Sequence, residues 1–145
     1  MLRRKARAAA LQVLFQMDVR NKKLEEILPY FEIPKGWDED TLTFFFHLAK
    51  GVENNQEEID RVLSKASKEW PLYRMANVDR NILRLAVFEI LFLPQVPIGV
   101  AINEAVELGK KYGTEESGKF INGVLGQLVK NLEKEEKCPT KKEKL

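Results

Sequence analysis

Apolar residues recur along this chain at helical spacing, and no stretch alternates as a half-buried strand would. Residues 3–19 put Ala6, Ala10 (or Ala9), Val13, Leu14 and Met17 on one stripe, with Arg3, Arg4 and Arg7 largely off it. "LEEILPYF" predicts a short helix that Pro29 must kink, and "EIPKGW" a loop. "DEDTLTFFFHLAKGV" opens with three acids, favourable in a first turn, and carries Leu42, Phe45, Leu48 (or Ala49) and Val52 as its stripe. A fourth helix, about 54–68, has Ile59, Val62, Leu63 and Ala66. "EWPLYRMA" is a turn ended by Pro71. The next helix starts at "NVDRN", with Asn77 as N-cap and Asp79 in the first turn. It continues as "ILRLAVFEILFL", apolar almost all round, as a helix at the centre of a molecule is. Pro94 and Pro97 stop it. "IGVAINEAVELGKKYG" follows, with Gly113 as C-terminal cap. "TEESGKFINGVLGQLVKNL" is the last helix, capped by Thr114 or Ser117.

The pattern therefore predicts an all-α chain of about seven helices. One domain covers 1–132, its halves meeting at the Pro71 turn (about 1–70 and 71–132). A charged tail, 133–145, is expected to be disordered.

A chain of 145 residues can bury a sizeable core without disulfides or metal. Its single cysteine, Cys138, lies in the tail, so no disulfide framework or cysteine-based zinc site is possible. A reducing, cytoplasmic setting is the natural reading. The opening "MLRRKARAAALQVLFQM" fails as a secretory signal, because Gln12 and Gln16 interrupt its apolar part and no cleavage site follows. It also lacks the serines of a transit peptide. No run is long and apolar enough to span a membrane.

Net charge is only +2, but it is unevenly spread. Residues 1–23 carry seven cations against one acid, Asp18, whereas 24–132 carry 12 cations against 17 acids. Cations at a helix start oppose the helix dipole, at a few tenths of a kcal/mol each. A bound anion would remove that cost, which suits a polyanionic ligand; a solvated helix start is the plainer alternative.

No catalytic constellation, glycine-rich cofactor loop or metal-spaced cluster is legible, so neither enzyme activity, cofactor nor metal is expected. His47, the only histidine, reads as a partly buried packing residue. Glu104 and Glu107 share a helix face and read as solvated surface. Gly118, Gly123 and Gly126 interrupt the last helix, where each interior glycine costs up to about 1 kcal/mol against alanine. Either close packing or a ligand against the backbone must offset them. Lys119 beside Phe120 suits phosphate contact plus base stacking. Phe120 as a core anchor with Lys119 in water is the other possibility.

Three blocks carry a family resemblance: "RRKARAAALQVLFQMD", "VDRNILRLAVFEILF" and "VPIGVAINEAVELGKKYGTEESGKFINGVLGQL". Over about residues 3–132 the chain resembles the NusB family of bacterial transcription antitermination factors. The resemblance implies a compact bundle in two small, roughly perpendicular helical halves, with no catalysis. It implies pairing with ribosomal protein NusE and binding of single-stranded boxA RNA in nascent ribosomal RNA leader transcripts. It also implies read-through by RNA polymerase alongside NusA and NusG. Carried over residue by residue, Arg3, Arg4, Lys5 and Arg7 form the arginine-rich RNA-binding segment. Glu116, Lys119 and Phe120 fall in a second RNA-facing region, and Phe15 and Asp79 match positions facing NusE. Phe15 lacks the hydroxyl of the tyrosine common there. Some family members form homodimers. An alternative is an accessory helical domain or protein adapter serving an RNA-modifying enzyme.

Overall fold

The structure is a computed structural model that describes residues 1–135. Its elements are α1 (Arg3–Arg20), α2 (Leu24–Ile27), α3 (Glu39–Asn54), α4 (Gln56–Ala66), α5 (Asn77–Phe92), α6 (Ile98–Tyr112) and α7 (Ser117–Lys134). Single 3-10 turns stand at Leu28–Tyr30 and Leu72–Arg74. The described residues are all-α, without a strand. Pro29 sits inside the first 3-10 turn, where its missing N–H breaks nothing, so the short second helix tightens instead of kinking. Helix α7 runs two residues past the expected end of the domain. Cys138 and most of the charged tail lie outside the described residues.

Helix α5 is the axle. Every residue from Asn81 to Leu91 is buried, and α1, α3, α4, α6 and α7 all touch it. Helix α1 packs on α3 and α5, α6 on α5 and α7, and α4 on α7. The buried side chains form one continuous core. Phe31 and Trp37 bring the loop after α2 onto Phe45, at ring-centroid distances of 5.8 and 5.7 Å. The tip of the Phe88 ring of α5 presses on α3 at Gly51, where a Cβ would meet it at 2.1 Å. Among the described residues no helix is long and apolar enough to cross a membrane.

Local details depart from expectation at four places. Asn77 is the first helical residue, after Ala76, and does not cap α5; its side-chain oxygen is held by Arg80 instead. Gly113 caps the C-terminus of α6 as expected, its N–H donating to the Gly109 carbonyl at 2.9 Å, but its backbone is extended and not left-handed. Glycine is required there for room, because a Cβ would lie 2.2 Å from Ser117 Oγ and 2.9 Å from the Gly109 carbonyl oxygen. Neither Thr114 nor Ser117 caps α7. Ser117 opens the helix, accepts the Thr114 N–H at 2.9 Å and donates its hydroxyl to Asp79 at 2.7 Å. His47 is exposed, its ring against the edge of Phe88 at 6.1 Å, because it faces outward from the stripe that buries Phe44, Phe45 and Leu48.

The start of α3 ties down the start of the chain. Asp38 caps the helix, accepting the Thr41 N–H at 2.8 Å and the Thr41 hydroxyl. Buried Thr41 in turn accepts the Leu2 N–H at 2.8 Å. The Thr41 hydroxyl, the Thr41 N–H and the terminal ammonium together hold the Asp38 carboxyl down at about 2, against 3.8 ordinarily. A carboxyl lowered by folding contributes stability that is full above its unfolded value and lost as pH falls through its folded one. Asp38→Ala should therefore lower the melting temperature at neutral pH, and the gap from the parent should close as pH falls from 3.8 toward 2. Melts by circular dichroism across that range test this; a gap independent of pH would contradict it.

Candidate nucleic-acid interface

The four basic residues that open α1 meet four different environments. Lys5 is exposed, and no ion pair reaches it among the described residues. Arg3 is half-buried, its guanidinium 5.0 Å from the centre of the Phe44 ring, a cation–π contact that fixes the side chain while leaving the charge uncompensated. Arg4 is exposed at 71% but already holds an anion: its Nε and Nη2 donate to the two Glu104 oxygens at 3.0 and 2.7 Å. That hydrogen bond keeps the Glu104 carboxyl below its ordinary range despite partial burial. Glu104 is thus a partner for α1, not the solvated carboxylate its spacing suggested.

Arg7 departs furthest from expectation. It lies on the packed face, its side chain 4% exposed, and forks onto Glu89 of α5, which is 2% exposed. Nε donates at 3.0 Å to both carboxylate oxygens and Nη2 at 2.7 Å to Oε1. Glu104 stands 3.9 Å from Nη1, and the Phe44 ring 5.4 Å away. Arg7 is therefore not on the surface with its neighbours. The unfavourable dipole of a basic helix start is answered from within the protein, by Glu89 and Glu104. The signal for this was in the sequence: a glutamate inside an otherwise apolar central helix must have a buried partner.

Beside the start of α1, the end of α6 supplies cations that the sequence reading passed over. Lys110, Lys111 and Tyr112 line, with Arg3, Arg4 and Lys5, an open groove of about 700 Å³. Lys111 lies over the Tyr112 ring at 5.4 Å. A second groove, about 820 Å³, runs between α6 and the start of α7 and has Lys110, Glu116 and Lys119 in its walls. Glu116 and Lys119 are exposed. Lys110 lines both grooves, and Glu115 faces the second beside Glu116. Phe120 is half-buried and packed against the core, with the rest of its ring exposed. Of the glycines, Gly118 is buried against Lys110 and Val106, which accounts for it by packing.

At the other end of α1, Asp18 anchors a second polar cluster. It accepts from Arg80 at 2.8 and 2.9 Å and from Asn81 Nδ2 at 2.9 Å. Arg84, 3.4 Å from Asp18, forks onto Asp60 of α4 at 2.9 and 3.0 Å. This cluster brings the end of α1 to the start of α5, and so Phe15 and Asp79 to the same end of that pair. Phe15 is half-buried and outside the core cluster. Asp79 is half-buried, with one oxygen engaged by Ser117. Among the described residues, no group of three His, Cys, Asp or Glu side chains could hold a metal ion.

A model of the NusB family matches residues 4–130. The chain belongs to the NusB family. Transcription antitermination protein NusB of Desulfatibacillum aliphaticivorans is 49% identical over 140 residues, 97% of this chain and 98% of that one. Among solved structures, T. maritima NusB superposes with a TM-score of 0.82 at 40% identity, covering 90% of this chain and 92% of that one. A complex of antitermination factors NusB and NusE with dsRNA contains a chain that matches with a TM-score of 0.76 at 32% identity, covering 90% of this chain and 99% of that one. The blocks read from the sequence fall within the matched span except for Arg3, which lies one residue before it.

Removing one member of a buried ion pair strands the other charge, at about 3–5 kcal/mol. Arg7→Ala should thus lower the melting temperature by roughly 10 °C or more. Replacing both partners, as Arg7→Met with Glu89→Leu, should recover most of that loss. Thermal melts of the single and double variants check this; a single variant as stable as the parent would contradict it.

Proposed function

We propose that this NusB-family chain is an RNA-binding transcription antitermination factor without catalytic activity. In this reading it pairs with ribosomal protein NusE and holds single-stranded boxA RNA of nascent ribosomal RNA leader transcripts. The complex promotes read-through by RNA polymerase alongside NusA and NusG. The observation that carries the reading is the basic groove at the start of α1, lined by Arg3, Arg4, Lys5, Lys110 and Lys111, with a neighbouring groove that shares Lys110 and has Lys119 in its wall. The name and 49% identity of the D. aliphaticivorans relative support antitermination, and the solved complex of NusB and NusE with dsRNA supports NusE and RNA as partners, while the single-stranded boxA target rests on the family resemblance.

The residues divide by task. Lys5, Arg3, Lys110, Lys111 and Lys119 are the phosphate contacts. Arg4 reaches phosphate by sharing or exchanging Glu104. Arg7 holds α1 in place and takes no part in contact. Phe120 offers its open side to a base, and Glu116, an acid beside RNA, weakens binding locally. Phosphate contacts give affinity and register but no sequence preference; base selection falls to Phe120 and to the partner protein. Phe15 and Asp79 face NusE, with Asp79 also tied through Ser117 to the start of α7, the RNA-facing end.

The test is a fluorescence-anisotropy titration of boxA-type single-stranded RNA, with and without NusE, at several salt concentrations. With five or six phosphates neutralised, log K should fall with log salt at a slope of about −3.5 to −4. NusE should strengthen binding, and the Lys5→Ala/Lys119→Ala variant, which removes two exposed cations that make no ion pair among the described residues, should weaken it while melting like the parent. Equal binding by that variant, or none by the folded parent with NusE, would overturn the reading and leave a protein adapter.

A further inference from the structure

The basic grooves do not stop at Lys119. That side chain also lines a third and larger groove, about 860 Å³, between the end of α4 and the length of α7. Lys65, Lys68 and Lys134 join Lys119 around it, with Glu69 and Glu135 offsetting part of the charge. Phe120 forms one wall, and Trp70 lines the same groove from the α4 side. Trp70 is 49% exposed, high for an indole, and its backbone is fixed by a turn in which its N–H donates to the Ser67 carbonyl at 2.9 Å. Trp70 and Phe120, 50 positions apart in the chain, are thus brought to one groove with four lysines.

Gly123 lies in this groove as well. It sits inside α7, where glycine costs up to about 1 kcal/mol against alanine. Unlike Gly118, it has no packing reason: a Cβ there would meet nothing within 4 Å. The space above its backbone is open groove. Such a glycine fits a site where something approaches the helix closely from outside.

We propose that this groove is a continuation of the RNA path. A nucleotide beyond the Phe120 position lies over the backbone at Gly123 and stacks on Trp70, with its phosphates met by Lys65, Lys68 and Lys134. Aromatic platforms flanked by lysines suit single-stranded RNA, since every base offers a face to stack and every linkage a charge. The groove continues the proposed interface through a shared residue, and its excess of lysines complements a polyanion. The proposal rests on the RNA-binding reading above and assigns that interface its further end.

The experiment titrates single-stranded RNAs of about 6 and about 12 nucleotides, a range that brackets common site sizes, against the full chain with NusE. The parent should bind the longer RNA more tightly and with a steeper salt slope, by about 0.7 for each added phosphate contact. Trp70→Ala should weaken the longer RNA on the order of tenfold and leave the shorter nearly unchanged. Gly123→Leu is the sharper probe. It should raise the melting temperature by improving helix propensity, while weakening the longer RNA by filling the groove. In a Trp37→Phe background, Trp70 is the sole tryptophan, and its fluorescence should be quenched by the longer RNA only. Normal binding of both RNAs by Trp70→Ala and Gly123→Leu would overturn the extension and leave the first two grooves standing. Failure of the parent to bind either RNA would overturn both.

Discussion

The buried fork between Arg7 and Glu89 is the interaction on which the arrangement turns. It joins the first turns of α1 to the most buried helix of the protein, through three hydrogen bonds in a site with almost no water. Two charges in such a place are stable only while each has the other. The fork therefore fixes the rotation of α1 about its axis. Once Arg7 points at α5, helical geometry turns Arg4 toward Glu104 of α6 and sends Lys5 to solvent. A protein that presents cations at a helix start has to hold that start firmly, against a dipole that disfavours it. Here acids from two other helices do so.

The same logic explains how a chain with a net charge of +2 offers a basic surface. Acids are plentiful but many are engaged: Glu89 and Glu104 with α1, Asp60 with Arg84, and Asp18 with Arg80, Asn81 and Arg84. Several lysines are not. Lys5, Lys111 and Lys119 stand at the rim of grooves formed where α1, α6 and α7 meet. Local potential depends on which charges are paired internally, so total charge is a poor guide to what the surface attracts.

Rigid placement also bears on base contact. Phe120 packs one side on the core, so its ring is ordered without a ligand, and the Trp70 backbone is set by the turn that its N–H closes onto Ser67. Pre-ordered platforms reduce the entropy lost on binding a flexible strand. Asp79, hydrogen-bonded to Ser117, links the start of α5 to the start of α7, and with it the region of Phe15 to that of Lys119. A contact made at the start of α5 therefore has a short hydrogen-bonded route to the start of α7.

Much of this was determined by sequence alone. Helical spacing specified the seven helices, the central burial of α5 and the stop at Pro94, because apolar periodicity and proline act within a few residues. The three blocks specified the family. What the sequence left undecided was which cations remain at the surface. Arg3, Arg4, Lys5 and Arg7 are chemically near-equivalent in a row, yet one stacks on Phe44, one pairs with Glu104, one faces water and one is buried against Glu89. Glu89 and Glu104 are 82 and 97 positions from Arg7 in the chain, and local pattern carries no information about pairs so far apart. Gly123 and Gly118 likewise look alike in sequence, and only packing distinguishes the glycine pressed between helices from the one beneath an open groove. Pattern fixes which face of a helix turns inward; tertiary structure decides what each side chain meets there, because that depends on residues brought near by folding.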